Sequence, residues 1–300
     1  MFNIKWKKFL VGLTDRFNLP KRIRILERQN RFVLYELRRV NETLRNHMLT
    51  DPTLGEFDKL QTSGSFEYQW AEYSTGVAMQ DDAEFMSRIK PQISKMTDLS
   101  EDWFKGKRVV DIGCGAGRFT YGMLTMGAIV TACDQSDAGL ERTAKLSAEH
   151  ADRLTLKKID LLRWDDLGDF DLGFCFGVVH HTGNTYAAIR NVALKVKPGG
   201  RLFLMVYGFP ETPDAIEELV SYEEVRQDVR LLPFEEKKKH LIERFGPYYA
   251  HGWFDAVSPR INDLLTFEEI AEFLTILGFT HIKRTMTGRN HHLVADKLPN

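Results

Sequence analysis

Three glycines at every second position follow a short apolar run that contains an aspartate, and together they could hold a ligand. The run comprises Val109, Val110, Asp111 and Ile112, and the glycines are Gly113, Gly115 and Gly117. Such a run followed by glycines is typical of a buried strand that turns sharply into a helix N-terminus. Because glycine has no Cβ, backbone N–H groups can closely approach a bound molecule. The segment therefore predicts a ligand-binding loop.

The spacing of these glycines separates two classes of cofactor. Dinucleotide-binding turns follow Gly-x-Gly-x-x-Gly/Ala, whose last small residue lets the helix pack closely on the strand. Arg118 occupies that last position here and fits it poorly. The form Asp-x-Gly-x-Gly-x-Gly, which starts at Asp111, instead resembles motif I of the class I S-adenosylmethionine (SAM) methyltransferases. The resemblance implies SAM as the cofactor, with Asp111 and the three glycines in its binding site.

A second strand, over residues 128–133, ends at Asp134. In the methyltransferase family an acidic residue at this place accepts hydrogen bonds from both ribose hydroxyls. Asp134 lies 17 residues after Gly117, which is close to the offset of ribose-binding carboxylates in nucleotide-binding units generally. The alternative for Asp134 is a turn or helix cap, although Asp137 is a better N-cap for the next helix.

Two further strands end in residues that the resemblance assigns to the cofactor. Residues 154–159 predict a third strand, after which Asp160 would approach the adenine amino group and Leu161 the adenine ring. An aspartate in an ordinary strand-ending turn is the alternative for Asp160. The fourth strand, residues 170–176, leads into Gly177, which the resemblance also places beside the cofactor.

Two adjacent histidines, His180 and His181, follow the fourth strand. A histidine pair here resembles motif IV of methyltransferases of the ubiquinone/menaquinone and small-molecule group. Ligands of open α/β sheets bind at the carboxyl ends of the strands, and imidazole has a pKa suited to removing a hydroxyl proton. We expect His181, ahead of His180, to act as general base or to orient the acceptor. A structural histidine bonded to a loop carbonyl is the alternative.

Apolar strand-like runs alternate with helical patterns, which predicts an α/β fold with a parallel, doubly wound sheet. A Pro-Gly-Gly turn at 198–200 leads into a fifth strand over 201–207. Near the end of the chain a helix is expected over 267–277, with Thr266 and Glu269 forming a capping box and Gly278 ending it. Strands over 281–287 and 291–295 would then form an antiparallel hairpin. The expected fold is a seven-stranded Rossmann-like sheet.

The chain divides into four expected segments. Residues 1–60 form a basic helical extension for anchoring or oligomerisation, and residues 61–207 form the SAM-binding core with its lead-in segment. Residues 208–265 are too long for an ordinary loop and form a structured cap over the active site. Residues 266–300 complete the core with the final helix and hairpin.

The lead-in segment and the cap each contain candidate binding residues. Trp70 and Tyr73 are expected beside the methionine end of SAM, because the resemblance implies that this segment crosses the cofactor pocket. Core packing accounts for Trp70 equally well. In the cap, Tyr249, His251 and Asp255 are the candidates for contact with the substrate, although packing within the cap would explain any one of them.

The first fifty residues differ in charge from the rest of the chain. They contain 12 lysines and arginines against 4 acidic residues, whereas the whole chain has a net charge of −1. Residues 1–19 form a basic amphipathic pattern that resembles an interfacial membrane anchor, with a helix docked on the protein itself as the alternative. Residues 20–48 carry an apolar seam with Asn30, which predicts a homodimeric coiled coil or an internal packing helix. The intervening arginines could meet RNA or anionic lipid, or form a solvated face.

Several classes of protein are disfavoured by composition. The three cysteines Cys114, Cys133 and Cys175 are scattered without a Cys-x-x-Cys pair, which argues against both a metal site and a disulfide framework. A reducing cytoplasm is the expected compartment, with peripheral membrane contact left open. No apolar stretch has the length of a secretory h-region or a transmembrane helix.

The expected activity is methyl transfer from SAM to a hydroxyl group of a small molecule, or of a glycan or lipid-linked intermediate. The Asn/Asp-Pro-Pro-Tyr signature of amine methylation on nucleobases and glutamine is absent from the motif IV position. Oxygen is therefore favoured over nitrogen as the acceptor, and carbon is second to oxygen. Two alternatives stay open. One is an RNA methyltransferase that uses the basic extension, and the other is a SAM-binding scaffold without turnover.

Overall fold

The structure is a computed structural model, and it describes residues 52–73 and 83–299. The anchor expected at residues 1–19 and the coiled coil expected at residues 20–48 lie outside the described residues. Within the described ranges, no helix is both long enough and apolar enough to cross a membrane. In the same ranges no three His, Cys, Asp or Glu side chains are grouped so that they could hold a metal ion.

A seven-stranded sheet forms the centre of the fold, as the sequence predicts. Its strands are Arg108–Ile112 (β1), Ile129–Asp134 (β2), Leu154–Lys158 (β3), Phe170–Phe176 (β4), Val196–Val206 (β5), Phe279–Arg284 (β6) and His291–Lys297 (β7). They lie in the order β3-β2-β1-β4-β5-β7-β6. Only β7 runs against the others, because it pairs antiparallel with both β5 and β6.

Helices of the described residues flank this sheet or connect its strands. They are Pro52–Glu72 (α1), Ala83–Ser87 (α2), Ile89–Thr97 (α3), Arg118–Thr125 (α4), Asp137–Leu146 (α5), Thr185–Lys195 (α6), Pro213–Val229 (α7), Phe234–Phe245 (α8), Pro247–Val257 (α9) and Phe267–Ile276 (α10). Short 3-10 turns at 179–181 and 161–163 follow β4 and β3.

Both faces of the central strands β1, β4 and β5 are buried, which explains why these strands are largely apolar. One face belongs to an apolar cluster with Val110, Ile189, Leu204 and Ile270. The other face belongs to a second cluster, which includes Val109. Successive residues of β1 therefore enter different clusters, as the alternation of side chains along a strand requires.

The strand order creates a crevice between β1 and β4. From β1 the chain proceeds outward through β2 to β3, and it then returns to β4 on the opposite side of β1. In open α/β sheets this reversal is where ligands bind, outside the carboxyl ends of the strands. The glycine loop after β1 and the histidine pair after β4 therefore meet at this crevice.

The capping box expected at the last helix is present. The Glu269 backbone N–H donates to Thr266 Oγ1 at 3.2 Å, and the Thr266 backbone N–H donates to Glu269 Oε2 at 2.8 Å. Gly278 follows the helix with φ +84°, which favours glycine. The start and end of this helix thus agree with the sequence-based expectation.

Two local expectations differ from the structure. The Pro-Gly-Gly segment at 198–200 is part of β5 rather than a turn before it, because Val196 already pairs with Phe170 and a register shift follows. Residues 247–255, a polar and aromatic stretch for which no helix is predicted, lie in helix α9. Pro247 occupies its first turn, where the missing N–H costs nothing.

The expected division of the chain into four segments stays a prediction. Helix α1 runs without interruption through residue 60, where one of the expected boundaries lies. Residues 51–209 and 224–300 form one compact unit, and residues 210–223 are grouped with residues 1–50 in the other. Helices α8 and α9 of the expected cap at 208–265 belong to the same unit as the sheet. In the described part of the smaller unit, Thr212 Oγ1 accepts from the Ala215 N–H at 3.3 Å.

Candidate active site

The glycine loop adopts a backbone that other residues rarely adopt. Gly113, Gly115 and Gly117 have φ values of +74°, +53° and +85°. A Cβ on Gly113 would lie 2.1 Å from Cγ2 of Val178, and one on Gly117 would lie 2.6 Å from Oγ1 of Thr143. Both the conformation and the lack of space therefore require glycine. A loop of this kind at a helix N-terminus fits the polar tail of a nucleoside cofactor such as SAM.

Helix α1 crosses the glycine loop and covers it with Trp70. A Cβ on Gly115 would lie 2.7 Å from Cζ2 of the Trp70 indole. The helix is held there from α5, whose Arg142 donates to the Ala71 carbonyl at 2.9 Å and also to the Tyr73 carbonyl. The expected lead-in across the pocket is therefore a helix.

Tyr73 packs against the cap. It is buried, and its ring packs 5.3 Å from that of Phe254 and 5.8 Å from that of His251. These contacts connect the end of α1 with α9. A contact of Tyr73 with the methionine end of SAM stays a prediction.

Asp111 points away from solvent and joins β1 to α4. Thr120 donates a hydrogen bond from its Oγ1 to Asp111 Oδ2 at 2.5 Å. Burial raises the pKa of the Asp111 carboxyl to about 7, and the hydrogen bond from Thr120 opposes that rise. The Asp111 side chain thus ties the end of β1, after which the glycine loop begins, to α4.

Asp134 keeps hydrogen-bonding capacity for a ligand after its protein contacts are counted. Its Oδ2 accepts from the Gly115 N–H and its Oδ1 from the Ser136 N–H, both at 2.8 Å. A carboxylate has about four lone-pair directions, and the Gln135 backbone also bonds to this carboxylate, so capacity for a further donor is left. A ribose hydroxyl is such a donor. Burial raises the pKa of Asp134 while these backbone bonds lower it.

The cap of α5 is neither Asp134 nor Asp137. Ser136 is the N-cap, and its hydroxyl accepts from the Gly139 N–H at 2.9 Å. Asp137, expected to be the better cap, instead pairs with Lys158 at 2.5 Å on the surface. Asp134 is therefore not needed to begin the helix.

The structure places Asp160, Leu161 and Gly177 at the same carboxyl edge. Asp160 Oδ1 accepts from the Leu162 N–H at 3.0 Å, which caps a short 3-10 turn, and its side chain is 55% exposed. Leu161 is buried in the core. Gly177 follows β4 with φ +74°, and its N–H donates to the Met205 carbonyl at 3.0 Å. The role of Asp160 toward adenine stays a prediction.

His181 has a defined tautomer. Its Nδ1 lies 2.8 Å from the Ile261 carbonyl oxygen, which can only accept, so Nδ1 carries the proton. Nε2 therefore keeps its lone pair. Burial lowers the pKa of His181, while the nearby Asp255 carboxylate raises it. His181 can therefore donate from Nδ1 to the Ile261 carbonyl and still act as a base through Nε2.

His180 is fully buried, and neither of its ring nitrogens has a hydrogen-bond partner in the described part of the chain. Its ring packs 4.0 Å from the ring of Tyr207 and 4.1 Å from that of His181. Burial holds the pKa of His180 well below its usual value. His180 is therefore neutral, and it places Tyr207 beside the histidine pair.

Two of the three candidates in the cap lie close together, and the third does not join them. His251 Nε2 lies 2.9 Å from Nε2 of Gln69, and Asp255 Oδ1 lies 3.4 Å from the same nitrogen. Asp255 Oδ2 also accepts from the Tyr207 hydroxyl at 2.9 Å. Tyr249, by contrast, is 59% exposed on α9. Of the three candidates, His251 and Asp255 are thus the two that contact α1.

Three polar residues of this region escaped sequence reasoning. Arg118, treated above only as a misfit to another motif, has its guanidinium over the rings of Phe119 at 4.8 Å and Phe176 at 5.5 Å. Gln69 directly precedes Trp70, and Tyr207 directly follows β5. Only their adjacency to residues already selected could have pointed to them.

Comparison with known proteins shows that this region is similar to methyltransferases. Residues 110–202 match the family model of a methyltransferase domain. The chain is 36% identical over 162 residues to the ubiquinone biosynthesis O-methyltransferase of Xanthomonas axonopodis pv. citri (strain 306), covering 53% of this chain and 65% of that protein. It is 28% identical over 146 residues to the enzyme of the same name from Coxiella burnetii (strain Dugway 5J108-111), covering 38% of this chain and 60% of that protein. These matches thus span about three fifths of each relative.

One solved structure shows the same fold over most of the chain. It is the SAH-bound magnesium protoporphyrin IX methyltransferase of Synechocystis PCC 6803, where SAH denotes S-adenosylhomocysteine, the demethylated product of SAM. The TM-score is 0.51 at 19% identity, and the match covers 80% of this chain and 99% of that one. The sheet and its flanking helices therefore have the same Rossmann-like fold as that structure.

Proposed function

We propose that this protein, whose residues 110–202 match the family model of a methyltransferase domain, is a SAM-dependent enzyme that methylates a hydroxyl group of a small molecule. The observation that carries the proposal is the tautomer of His181, whose Nδ1 is protonated toward the Ile261 carbonyl and whose Nε2 is therefore unprotonated, in the 3-10 turn that follows β4. The curated relatives are O-methyltransferases by name, which supports oxygen as the acceptor atom.

SAM, when bound, would supply a methyl group that an oxygen nucleophile can attack, with the thioether sulfur of SAH as the leaving group. Such a displacement requires an aligned nucleophile more than a covalent intermediate. The glycine loop and Asp134 would hold the nucleoside, and the acceptor would lie between the loop and the histidine pair. The chain's own contribution is thus to orient the acceptor and to remove its proton.

His181 is suited to removing that proton. Because burial lowers its pKa, the imidazole is unprotonated at neutral pH and Nε2 can accept a hydrogen bond from the acceptor hydroxyl. Once the proton has moved, the carboxylate of Asp255 stabilises the resulting imidazolium. His180 stays neutral and packs the Tyr207 ring against this pair.

The test is the release of SAH in the presence of chosen acceptors. Purified protein is incubated with SAM and with paired compounds that differ only in a hydroxyl or an amino group, from phenols and sugars to isoprenoid-linked sugars. We expect SAH release only with hydroxyl compounds, and the responding class separates a free small molecule from a glycan or lipid-linked acceptor. Release with the amines alone, or tight SAH binding without turnover on any acceptor, would contradict the proposal.

A further inference from the structure

A lysine of helix α8 is buried without an anionic partner. Lys237 is 3% exposed, so protein encloses almost the whole residue. In the described part of the chain its Nζ contacts the ring of Phe234, whose centre lies 5.5 Å away, and it forms neither a hydrogen bond nor an ion pair. Lysines are almost never this deeply buried unless their charge is paired. The position of Lys237 therefore calls for an explanation.

The charges that act on Lys237 are positive. Burial, followed by the charges of Arg226 and Arg260, lowers the pKa of the Lys237 ammonium to about 8. No carboxylate of the described residues is among the groups that act on it. At neutral pH the ammonium is still largely protonated. Lys237, Arg226 and Arg260 thus form a cationic cluster.

The two arginines of the cationic cluster are held by contacts of their own. Arg226 on α7 donates to the carbonyls of Ala256 and Pro259, at and just after the end of α9, both at 2.5 Å. Arg260 donates to the Asp58 carboxylate on α1. These contacts fix the two guanidinium groups in position. Lys237 is therefore the member of the cluster whose ammonium can donate to a bound group.

An anionic ligand would account for a lysine at this position. Moving an ammonium group from water into protein has a large free-energy cost, and a contact with an aromatic ring such as that of Phe234 recovers only a small part of it. Methionine has a similar length and would fill the same space without that cost. Because buried charges in native proteins are paired, the lysine indicates an anion in the bound state.

The cationic cluster adjoins the proposed base. Burial lowers the pKa of His181, and the charge of Arg226 lowers it further, just as this charge acts on Lys237. Arg260 directly precedes Ile261, whose carbonyl accepts from His181 Nδ1 at 2.8 Å. The same positive charges therefore influence both Lys237 and the residue that would remove the acceptor proton.

We propose that Lys237 binds an anionic group of the acceptor, a carboxylate or a phosphate. The Lys237 ammonium donates to an anionic oxygen, and Arg226 and Arg260 stabilise its charge through their positive potential. The hydroxyl to be methylated then lies toward His181. The inference rests on the proposed function, since it takes the acceptor as the ligand. It narrows the acceptor from hydroxyl compounds in general to hydroxy acids and hydroxylated phosphate esters.

An anionic acceptor fits this place better than a neutral one. A neutral molecule would displace water from the ammonium without pairing its charge, which adds to the cost of burial. Carboxylate and phosphate oxygens instead form short, charge-assisted hydrogen bonds with lysine. Asp255 acts on His181 but is not among the groups that act on Lys237. A bound anion would thus face the cations and not that carboxylate.

The first experiment measures the binding of two simple anions. Inorganic phosphate and acetate are titrated by calorimetry into the full chain saturated with SAH, at an ionic strength held constant with chloride. We expect saturable binding of at least one anion, and the one that binds identifies the chemistry of the site. Lys237→Met should weaken this binding about tenfold to hundredfold, as for a lost hydrogen bond to a charged group.

Lys239→Met is the matched control. Lys239 lies on the same helix but is exposed, and its substitution changes the net charge of the chain by the same amount. We expect its affinity for the anion to stay within about twofold of wild type. The affinity for SAH should stay within about twofold in both variants, which shows that they are folded. A difference between them therefore reports on the buried ammonium.

Arg260→Gln carries the test if Lys237→Met does not fold. It removes one charge of the cationic cluster and leaves the Asp58 carboxylate without this cation. The positive potential at Lys237 falls in consequence. We expect the anion to bind about threefold to tenfold more weakly, while the affinity for SAH stays within about twofold. Unchanged anion binding in this variant would count against the cluster.

The second experiment tests whether the anion belongs to the acceptor. SAH release is measured with pairs of hydroxylated compounds, one pair a carboxylate and its carboxamide and the other a phosphate ester and its free alcohol. We expect the wild type to prefer an anionic member at least about tenfold in kcat/KM. Lys237→Met should abolish this preference mainly through a higher KM, because the lost contact is made in the ground state and in the transition state alike.

The outcomes separate this inference from the proposed function. Weaker anion binding in Lys237→Met, together with the loss of the preference for anionic acceptors, supports the subsite. Three results overturn it and leave the proposed function standing: no saturable anion binding to the wild type, an unchanged anion affinity in Lys237→Met, or a wild-type preference for the neutral acceptors. If the wild type releases SAH with no acceptor, the proposed function falls and this inference falls with it.

Discussion

Burial shifts the pKa of the carboxyl groups and the pKa of the imidazoles around the glycine loop in opposite directions. It raises the pKa of Asp111 and Asp134 and lowers the pKa of His180 and His181. In every case the neutral form gains, because an apolar environment penalises charge. The site therefore holds uncharged imidazoles near neutral pH, and the proton-accepting step depends on that.

Asp111 gives the first prediction at the scale of a residue. Its pKa is about 7 in the folded chain and about 3.9 when unfolded. Between these values the folded state holds a proton that the unfolded state has lost, so wild-type stability falls as pH rises. Relative to wild type, Asp111→Asn should gain about 1.4 kcal/mol of unfolding free energy per pH unit between about pH 5 and 7.

Urea unfolding of both proteins at several pH values checks this expectation. The difference between their free energies of unfolding is the quantity to follow, since other titrating groups contribute equally to both curves. Curves that run parallel from pH 5 to 7 would show that the Asp111 carboxyl titrates in the folded chain as it does in the unfolded one.

His181 gives a second prediction at this scale. His181→Asn keeps a donor at the Nδ1 position for the Ile261 carbonyl, which His181 contacts at 2.8 Å, but has no basic nitrogen. We expect turnover to drop about 10²- to 10⁴-fold, the usual contribution of general acid–base catalysis, while the dissociation constant of SAH stays within about twofold. Calorimetry and SAH-release assays measure the two quantities. Normal turnover in the variant would remove His181 as the base.

The sequence predicted some of these residues and missed others for a physical reason. Gly113 and Asp134 follow strands of a recognisable unit, and their roles depend on local geometry that one segment defines. Gln69 and Arg118 act through partners far along the chain, since Gln69 is 186 residues from Asp255. No periodicity within a segment reports such a contact. Tertiary structure is needed to find them.

The helix caps give a prediction at the scale of an element. Thr266 is the N-cap of α10 and forms a reciprocal capping box with Glu269. It has no assigned role in cofactor binding. Thr266→Ala should lower the free energy of unfolding by about 1 kcal/mol. Affinity for SAH should not change, because no residue assigned to the cofactor lies on α10.

Thr275→Ala serves as the matched control for that prediction. Thr275 lies on the exposed side of the same helix, where its hydroxyl bonds to the Ala271 carbonyl at 2.8 Å. Alanine has the higher helix propensity, so this variant should be neutral or slightly more stable. Equal stability changes in Thr266→Ala and Thr275→Ala on denaturant unfolding would contradict a specific role for the cap.

The sequence predicted a helix correctly where the spacing of apolar residues and the capping residues agreed, and it missed a helix where these two signals conflicted. For α10, Thr266 and Gly278 mark both ends, and the structure confirms them. For α9, Gly252 and a run of aromatics obscured a helical pattern. The buried residues Ala250, His251, Phe254 and Val257 nevertheless recur at helical spacing. Pro247 at its start was the signal that could have revealed it.

At the scale of the whole molecule, every residue assigned to the cofactor lies in the unit formed by residues 51–209 and 224–300. We therefore expect a chain that starts at residue 51 to bind SAH with a dissociation constant within about twofold of the full chain. Calorimetry on the two proteins measures this. A large loss of affinity in the shortened chain would show that the basic first fifty residues contribute to the cofactor site.

The order of strands follows from rules that apply to whole sheets, which is why the sequence could predict the fold. Alternating strands and helices imply parallel neighbours, and the site then lies at the carboxyl edge. The division into units could not be predicted in the same way. It depends on how residues 51–60 and 210–223 pack, and no motif marks either segment.

The central claim is that the glycine loop and Asp134 hold an adenosyl cofactor at the carboxyl edge of the sheet. Titration of SAH into ligand-free protein and into Asp134→Ala tests it most directly. We expect saturable binding to the wild type and an affinity at least about thirtyfold lower in the variant, since hydrogen bonding from ribose to a carboxylate is lost. No heat of binding with the wild type, or equal affinities for the two proteins, would contradict the claim.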